Sequence, residues 1–132
     1  MGIDYGEKRI GIALSDPLLI FAYPFTTLEN NANFLNRLAN IILEKRVNRI
    51  ILGLPSSNFE SSKKIAQKVL KLKSDIEKQT NIEVILWNEE YSSAIAKEKI
   101  IESVAKKSNR KKKELLDSQS AAVILQEFLD SK

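Results

Sequence analysis

The apolar residues of this chain recur first at strand spacing and, after residue 30, at helical spacing, and that change limits the folds open to it. Residues 1–6 and 9–16 are apolar runs, and along the second Ile10, Ile12 and Leu14 alternate with smaller residues. Alternation of this kind buries one face of a β-strand. Gly6-Glu7-Lys8 lies between the runs and supplies a tight hairpin turn. Residues 18–26, LLIFAYPFT, read as a third strand, with its end placed by Pro24 at a sheet edge or strand exit. After residue 30 the period becomes helical. Phe34, Leu35, Leu38, Ile41 and Ile42 share one face, with Asn30 or Asn31 as N-cap.

The alternation of strand and helix then continues. Residues 49–54 (RIILGL) form a buried strand closed by Pro55. A helix follows over 62–79, carrying Ile65, Val69, Leu72 and Ile76 on one face, and residues 82–87 (IEVILW) form another strand. Two more helices are expected, over about 92–105 and 111–130. The order β-β-β-α-β-α-β-α-α begins as an antiparallel meander and then requires parallel crossovers. The expected fold is an α/β domain, a mixed sheet flanked by helices on both faces. No linker, repeat or low-complexity tract divides residues 1–132, so one domain is expected.

Composition narrows the chemistry. The chain has no cysteine and no histidine. Disulfides, thiolate metal sites, thiol nucleophiles and Ser–His triads are excluded. Carboxylates, Lys, Ser/Thr and Tyr remain. No apolar run approaches the roughly 20 residues of a membrane span, and the amino terminus lacks the basic start and apolar stretch of a secretory signal. A cytoplasmic protein without a membrane partner is expected.

Three acids stand where burial disfavours them. Asp4 lies between Ile3 and Tyr5 in the first strand, where it either meets solvent or turns locally with Gly6. Glu89 and Glu90 follow IEVILW, at the carboxyl end of a strand, where ligand sites of open α/β sheets gather. Asp117 shares a stripe of the last helix with Ala121, Ile124 and Phe128, so it points toward the sheet. A helix starting near Ser118 would instead make Asp117 an N-cap. Should Asp4, Glu89 and Asp117 converge, they form an all-oxygen cluster suited to Mg²⁺ or Mn²⁺. Two such ions can activate water and stabilise the leaving oxygen of a phosphodiester.

Four blocks carry a family resemblance: MGIDYGEKRIGIALSDP at the start, Gly53-Leu54-Pro55, the NEEYSS of 88–93, and LLDSQSAAVILQEFL over 115–129. Together they resemble the YqgF/RuvX family of the ribonuclease H-like superfamily, which also holds Holliday-junction resolvases. The resemblance implies a five-stranded mixed sheet, three strands antiparallel and then two parallel, flanked by helices. It implies a metal-dependent nuclease with catalytic, metal-binding acids at Asp4, Glu89 and Asp117, linked to 5′-end maturation of pre-16S rRNA or, by analogy, to Holliday-junction cleavage. Two departures stand out. The family's Asp-Glu-Arg is here Asn88-Glu89-Glu90, and the polar loop after Gly53-Leu54-Pro55 reads SSNFESS.

The net charge of +4 is unevenly spread. Residues 106–113 read KKSNRKKK, and the rest of the chain is slightly acidic. This block, with Arg110, Lys111, Lys112 and Lys113, precedes Asp117 and suits phosphate backbones; Lys8 and Arg9 in the first hairpin lie close in sequence to Asp4. Trp87 and Tyr91, bracketing the acids, either stack on a base or pack in the core. The expected partner is structured RNA (pre-rRNA) or branched DNA, acted on by a monomer or weak homodimer. A catalytically weak nucleic-acid-binding scaffold and an actin-like nucleotide-binding fragment are the readings of other classes.

Overall fold

Five strands and three helices make up the described part of the computed structural model, which covers residues 1–55, 60–88 and 110–131, with helix side chains from 63 and from 114 onward. They are β1 (Gly2–Asp4), β2 (Arg9–Ser15), β3 (Ala22–Glu29), α1 (Phe34–Lys45), β4 (Arg49–Leu54), α2 (Glu60–Thr80), β5 (Glu83–Asn88) and α3 (Arg110–Asp130). The sheet order is β3-β2-β1-β4-β5. β2 runs antiparallel to both β1 and β3, whereas β1–β4 and β4–β5 are parallel. This is the mixed α/β sheet that the periodicity predicts. The helix expected over 92–105 lies outside the described residues.

Strand alternation sorts the side chains onto two faces. Ile3, Ile10, Ile12, Leu14, Ile50, Leu52 and Val84 point one way, where they pack on Phe34, Leu38 and Ile42 of α1 and on Val69, Leu72 and Ile76 of α2. Each such fully buried aliphatic side chain contributes about 1.5–3 kcal/mol. The opposite face is narrower: Ala13 and Ile51 meet Ala121, Ile124 and Leu125 of α3. Gly2 lets α3 come close, since a Cβ there would lie 2.7 Å from both the Ala121 carbonyl oxygen and the Leu125 Cβ.

Three local expectations are corrected. The third strand begins at Ala22 rather than 18, because Asp16 captures the segment before it. Its Oδ1 accepts the N–H groups of Ile20 (2.8 Å) and Phe21 (2.7 Å), and its Oδ2 accepts that of Leu18 (3.2 Å). These hydrogen bonds, led by that of Phe21, hold the Asp16 carboxyl below its usual value of 3.8. Pro24 does not end the strand, which continues to Glu29. It pairs with Ala13 beside a register shift, on the edge strand where a missing N–H is tolerated. Lastly, α1 is capped at Asn33, and Asn31 Oδ1 accepts the Asn33 N–H at 2.9 Å.

Candidate active site

The polar site grows from the α3-facing side of β1 and β2. Asp4 is the last residue of β1, half-buried, and stands opposite Gly11 of β2. Gly2 faces α3, so Asp4, two residues on, faces the same way. Gly11 permits the closest helix approach in this region. A Cβ on it would fall 1.9 Å from the Asp117 carbonyl oxygen and 2.8 Å from the Ser118 nitrogen. The helix backbone at Asp117 therefore lies directly over the residue that pairs with Asp4. Sequence reasoning left Gly11 aside; its signal was the one position lacking a side chain between Ile10 and Ile12.

Asp117 sits two turns inside α3, which starts at Arg110, so the N-cap alternative at Ser118 is ruled out. Its stripe faces the sheet as expected: Ala121 and Ile124 are fully buried, and Ser118 is 4% exposed. Asp117 Oδ2 accepts a hydrogen bond from Arg9 Nε at 2.9 Å, with both side chains partly buried. Arg9 is thus turned onto Asp117 rather than out at the hairpin surface. A charge-assisted contact of this kind fixes the guanidinium in orientation while leaving its outer N–H groups to meet an anion. The Thr27 hydroxyl donates to the Glu114 carbonyl, and the Gln126 amide oxygen accepts the Ala22 N–H at 2.8 Å. These bonds tie the two ends of α3 to β3 and hold Asp117 in register.

The remaining predicted residues divide in two. Lys8 is exposed at the hairpin tip. Arg110, Lys111, Lys112 and Lys113 form the first turn of α3, two turns before Asp117, and their side chains lie outside the described residues. Glu89 also lies outside them, as do Glu90 and Tyr91. β5 ends at Asn88, paired with Leu54, at the carboxyl end of the parallel strands where β1 also ends. Two strand spacings, about 10 Å, separate β1 from β5. Trp87 belongs to the core: its ring meets Phe128 edge-on at 5.8 Å, and its Nε1 donates to Glu127 at 3.4 Å.

The residues present fit a hard divalent cation. Asp4 and Asp117 bring carboxylate oxygens to one face, half-buried, with neither thiol nor imidazole in the chain. Among the described residues no group of three acids stands together, so the pair would need a third donor from elsewhere.

Residues 1–131 match the model of the family described as "RuvX: Holliday junction resolvase". A Desulforamulus reducens protein named "Putative pre-16S rRNA nuclease" is 36% identical over 133 residues, covering 99% of this chain and 96% of that protein. A Clostridioides difficile protein of the same name is 34% identical over 134 residues, covering 100% and 94%. A solved structure titled "T. thermophilus RuvC in complex with Holliday junction substrate" superposes with a TM-score of 0.61 at 12% identity, covering 98% of this chain and 92% of that one. At that identity the likeness shows a shared fold, the ribonuclease H-like sheet.

Proposed function

The chain belongs to the RuvX family of Holliday junction resolvases, and from that premise we propose that it is a metal-dependent nuclease whose substrate is the 5′ end of pre-16S rRNA. One observation carries the reading. Gly11 lets α3 settle on the sheet so that Asp117 lies over the strand position paired with Asp4. Asp4 and Asp117 would hold Mg²⁺ or Mn²⁺, with Glu89 as the third ligand from the end of β5. When bound, one or two such ions activate a water and stabilise the leaving oxygen.

The chain's own residues do the rest. Asp4 and Asp117 fix where the scissile phosphate can sit, because both are held by regular elements rather than by loops. Arg9, anchored through Nε on Asp117, presents its remaining N–H groups to a phosphate oxygen beside the cut. Lys8, Arg110, Lys111, Lys112 and Lys113 meet the backbone on either side, giving affinity that is independent of sequence and sensitive to salt. Residues 1–132 act as one domain in the cytoplasm. Among the described residues no helix is long and apolar enough to cross a membrane.

The test uses a pre-16S rRNA 5′ leader and a four-way DNA junction, each incubated with wild type or Asp117→Asn and Mn²⁺ or Mg²⁺. The reading expects wild type to cut the RNA and Asp117→Asn to lose at least about 100-fold in rate. Preferential cutting of the junction would transfer the assignment to branched DNA. Binding without cutting would favour a scaffold, consistent with the Asn88-Glu89-Glu90 departure.

A further inference from the structure

Helix α2 carries a row of charge that the nuclease reading does not use. Its Val69, Leu72 and Ile76 face the core, so helical spacing divides the remaining positions into two flanks. On one flank Lys73 pairs with Glu77 at 2.8 Å, and Glu77 also accepts the Val84 N–H of β5 at 3.4 Å. That flank is neutralised within the fold and turned toward β5. The other flank holds Lys64, Lys68, Lys71 and Lys78, all exposed, with Asp75 set between the last two. Lys64 and Lys68 are four residues apart, and Lys68 and Lys71 three. Like charges at these spacings repel one another along a helix, and an anion laid over them relieves the repulsion.

Two contacts fix where this second flank lies. Lys68 Nζ stands 3.7 Å from Glu7 Oε2 in the turn between β1 and β2, and Gln79 Nε2 donates to Asn36 Oδ1 of α1 at 3.1 Å. The row therefore borders the turn that links Asp4 to Arg9 and carries Lys8. Asn30 holds that turn from two sides. Its side-chain amide donates to Gly6 O, and its backbone N–H donates to Lys8 O, each at 2.9 Å. The Lys68–Glu7 pair is long, with side chains 51% and 61% exposed, so it is weak and a phosphate can take the place of Glu7.

We propose that this flank of α2 is a track for the RNA strand, continuing from Asp4 and Asp117 past Lys8 and along Lys64, Lys68, Lys71 and Lys78. The nature of the anion rests on the nuclease reading. At 1.5 Å per residue the row spans about 21 Å. That is the length of about six stacked nucleotides at roughly 3.4 Å each. Lysine suits such a track, because its ammonium is a mobile point charge that meets phosphates without reading bases. The basic block that opens α3 belongs to the opposite face of the sheet from α2. The strand is therefore gripped from both faces, with Asp4 and Asp117 between the two grips.

Fluorescence anisotropy of a labelled 20-nucleotide oligouridine RNA, in EDTA and across a salt titration, tests this on the full chain. The α2 variant is Lys64→Gln/Lys68→Gln/Lys71→Gln. A control, Lys45→Gln/Arg46→Gln/Arg49→Gln, removes the same charge elsewhere. Every replaced side chain is exposed, so circular dichroism should show all three proteins folded. The α2 variant should bind at least about tenfold more weakly, with a salt slope shallower by about two, since each phosphate contact on a single strand contributes about 0.7. The control should change less than about threefold. An unchanged slope in the α2 variant overturns the proposal. So does an equal loss in the control, which would make binding a matter of net charge. Polyglutamate bound as tightly as the RNA would give the surface to an acidic protein and overturn it too. EDTA withholds the metal, so binding is read apart from cutting. A wild type that cuts RNA with Mn²⁺ but shows no α2 effect loses only the track; one that binds along α2 and never cuts keeps the track and loses the nuclease reading.

Discussion

The two faces of the sheet are built from the same strands to opposite ends. Toward α1 and α2, β1 and β2 present Ile3, Ile10, Ile12 and Leu14, all buried. Toward α3 the intervening positions are Gly2, Asp4, Arg9, Gly11, Ala13 and Ser15. One face spends its residues on bulk. The other uses small residues to bring a helix near and polar ones to make a site. Stability and chemistry are thus separated by the strand period of two, a division that substitutions can expose.

The largest stability effect belongs to the bulky face. Leu38→Ala, at a fully buried position on α1, should cost about 2–5 kcal/mol in urea denaturation while the folded fraction keeps its cleavage rate. A loss of cleavage per folded molecule would break the separation. Gly11→Ala attacks the thin face. Its methyl meets helix backbone that no rotamer change can move, so about 1–3 kcal/mol is expected, together with loss of cleavage as Asp117 is displaced. Full activity in Gly11→Ala would deny that close approach positions the site. Arg9→Gln breaks a partly exposed ion pair, so stability should change by about 1 kcal/mol or less. RNA binding should nevertheless weaken and show a shallower salt dependence, measured by anisotropy across a salt titration.

The smallest effect is set by pH at the turn that Asp16 holds before β3. Asp16 has a depressed folded-state pKa, so its contribution is complete above 3.8 and is lost as pH falls through the lower folded value. The protection of the Ile20 and Phe21 amides, taken relative to their intrinsic exchange rate at each pH, should therefore hold at neutral pH and fall only in that acid window. Protection already lost near neutrality would mean the carboxylate does not hold the turn.

Much of this was legible in the sequence. Period two and period 3.6 are strong signals where one face is buried and the other is not, which is why β2, α1, β4, α2 and β5 fall within a few residues of expectation. The Asp117 stripe was readable for the same reason: three apolar neighbours at helical spacing fix the direction of the fourth residue. Residues 18–21 were not legible. Apolar residues normally mark a strand, and nothing local says that Asp16 will take their N–H groups instead. The Arg9–Asp117 contact spans 108 positions and depends on the absence of a side chain at Gly11, so no local pattern announces it.

The central claim is that Asp4 and Asp117, on different elements, act as one cation site. Mn²⁺ titration followed by electron paramagnetic resonance, on wild type, Asp4→Asn and Asp117→Asn with folding checked by circular dichroism, tests it most directly. The account predicts that wild type binds Mn²⁺ and that each substitution alone weakens binding at least about tenfold, the range seen on altering a metal site's supporting residues. Wild-type affinity in either folded variant would contradict it.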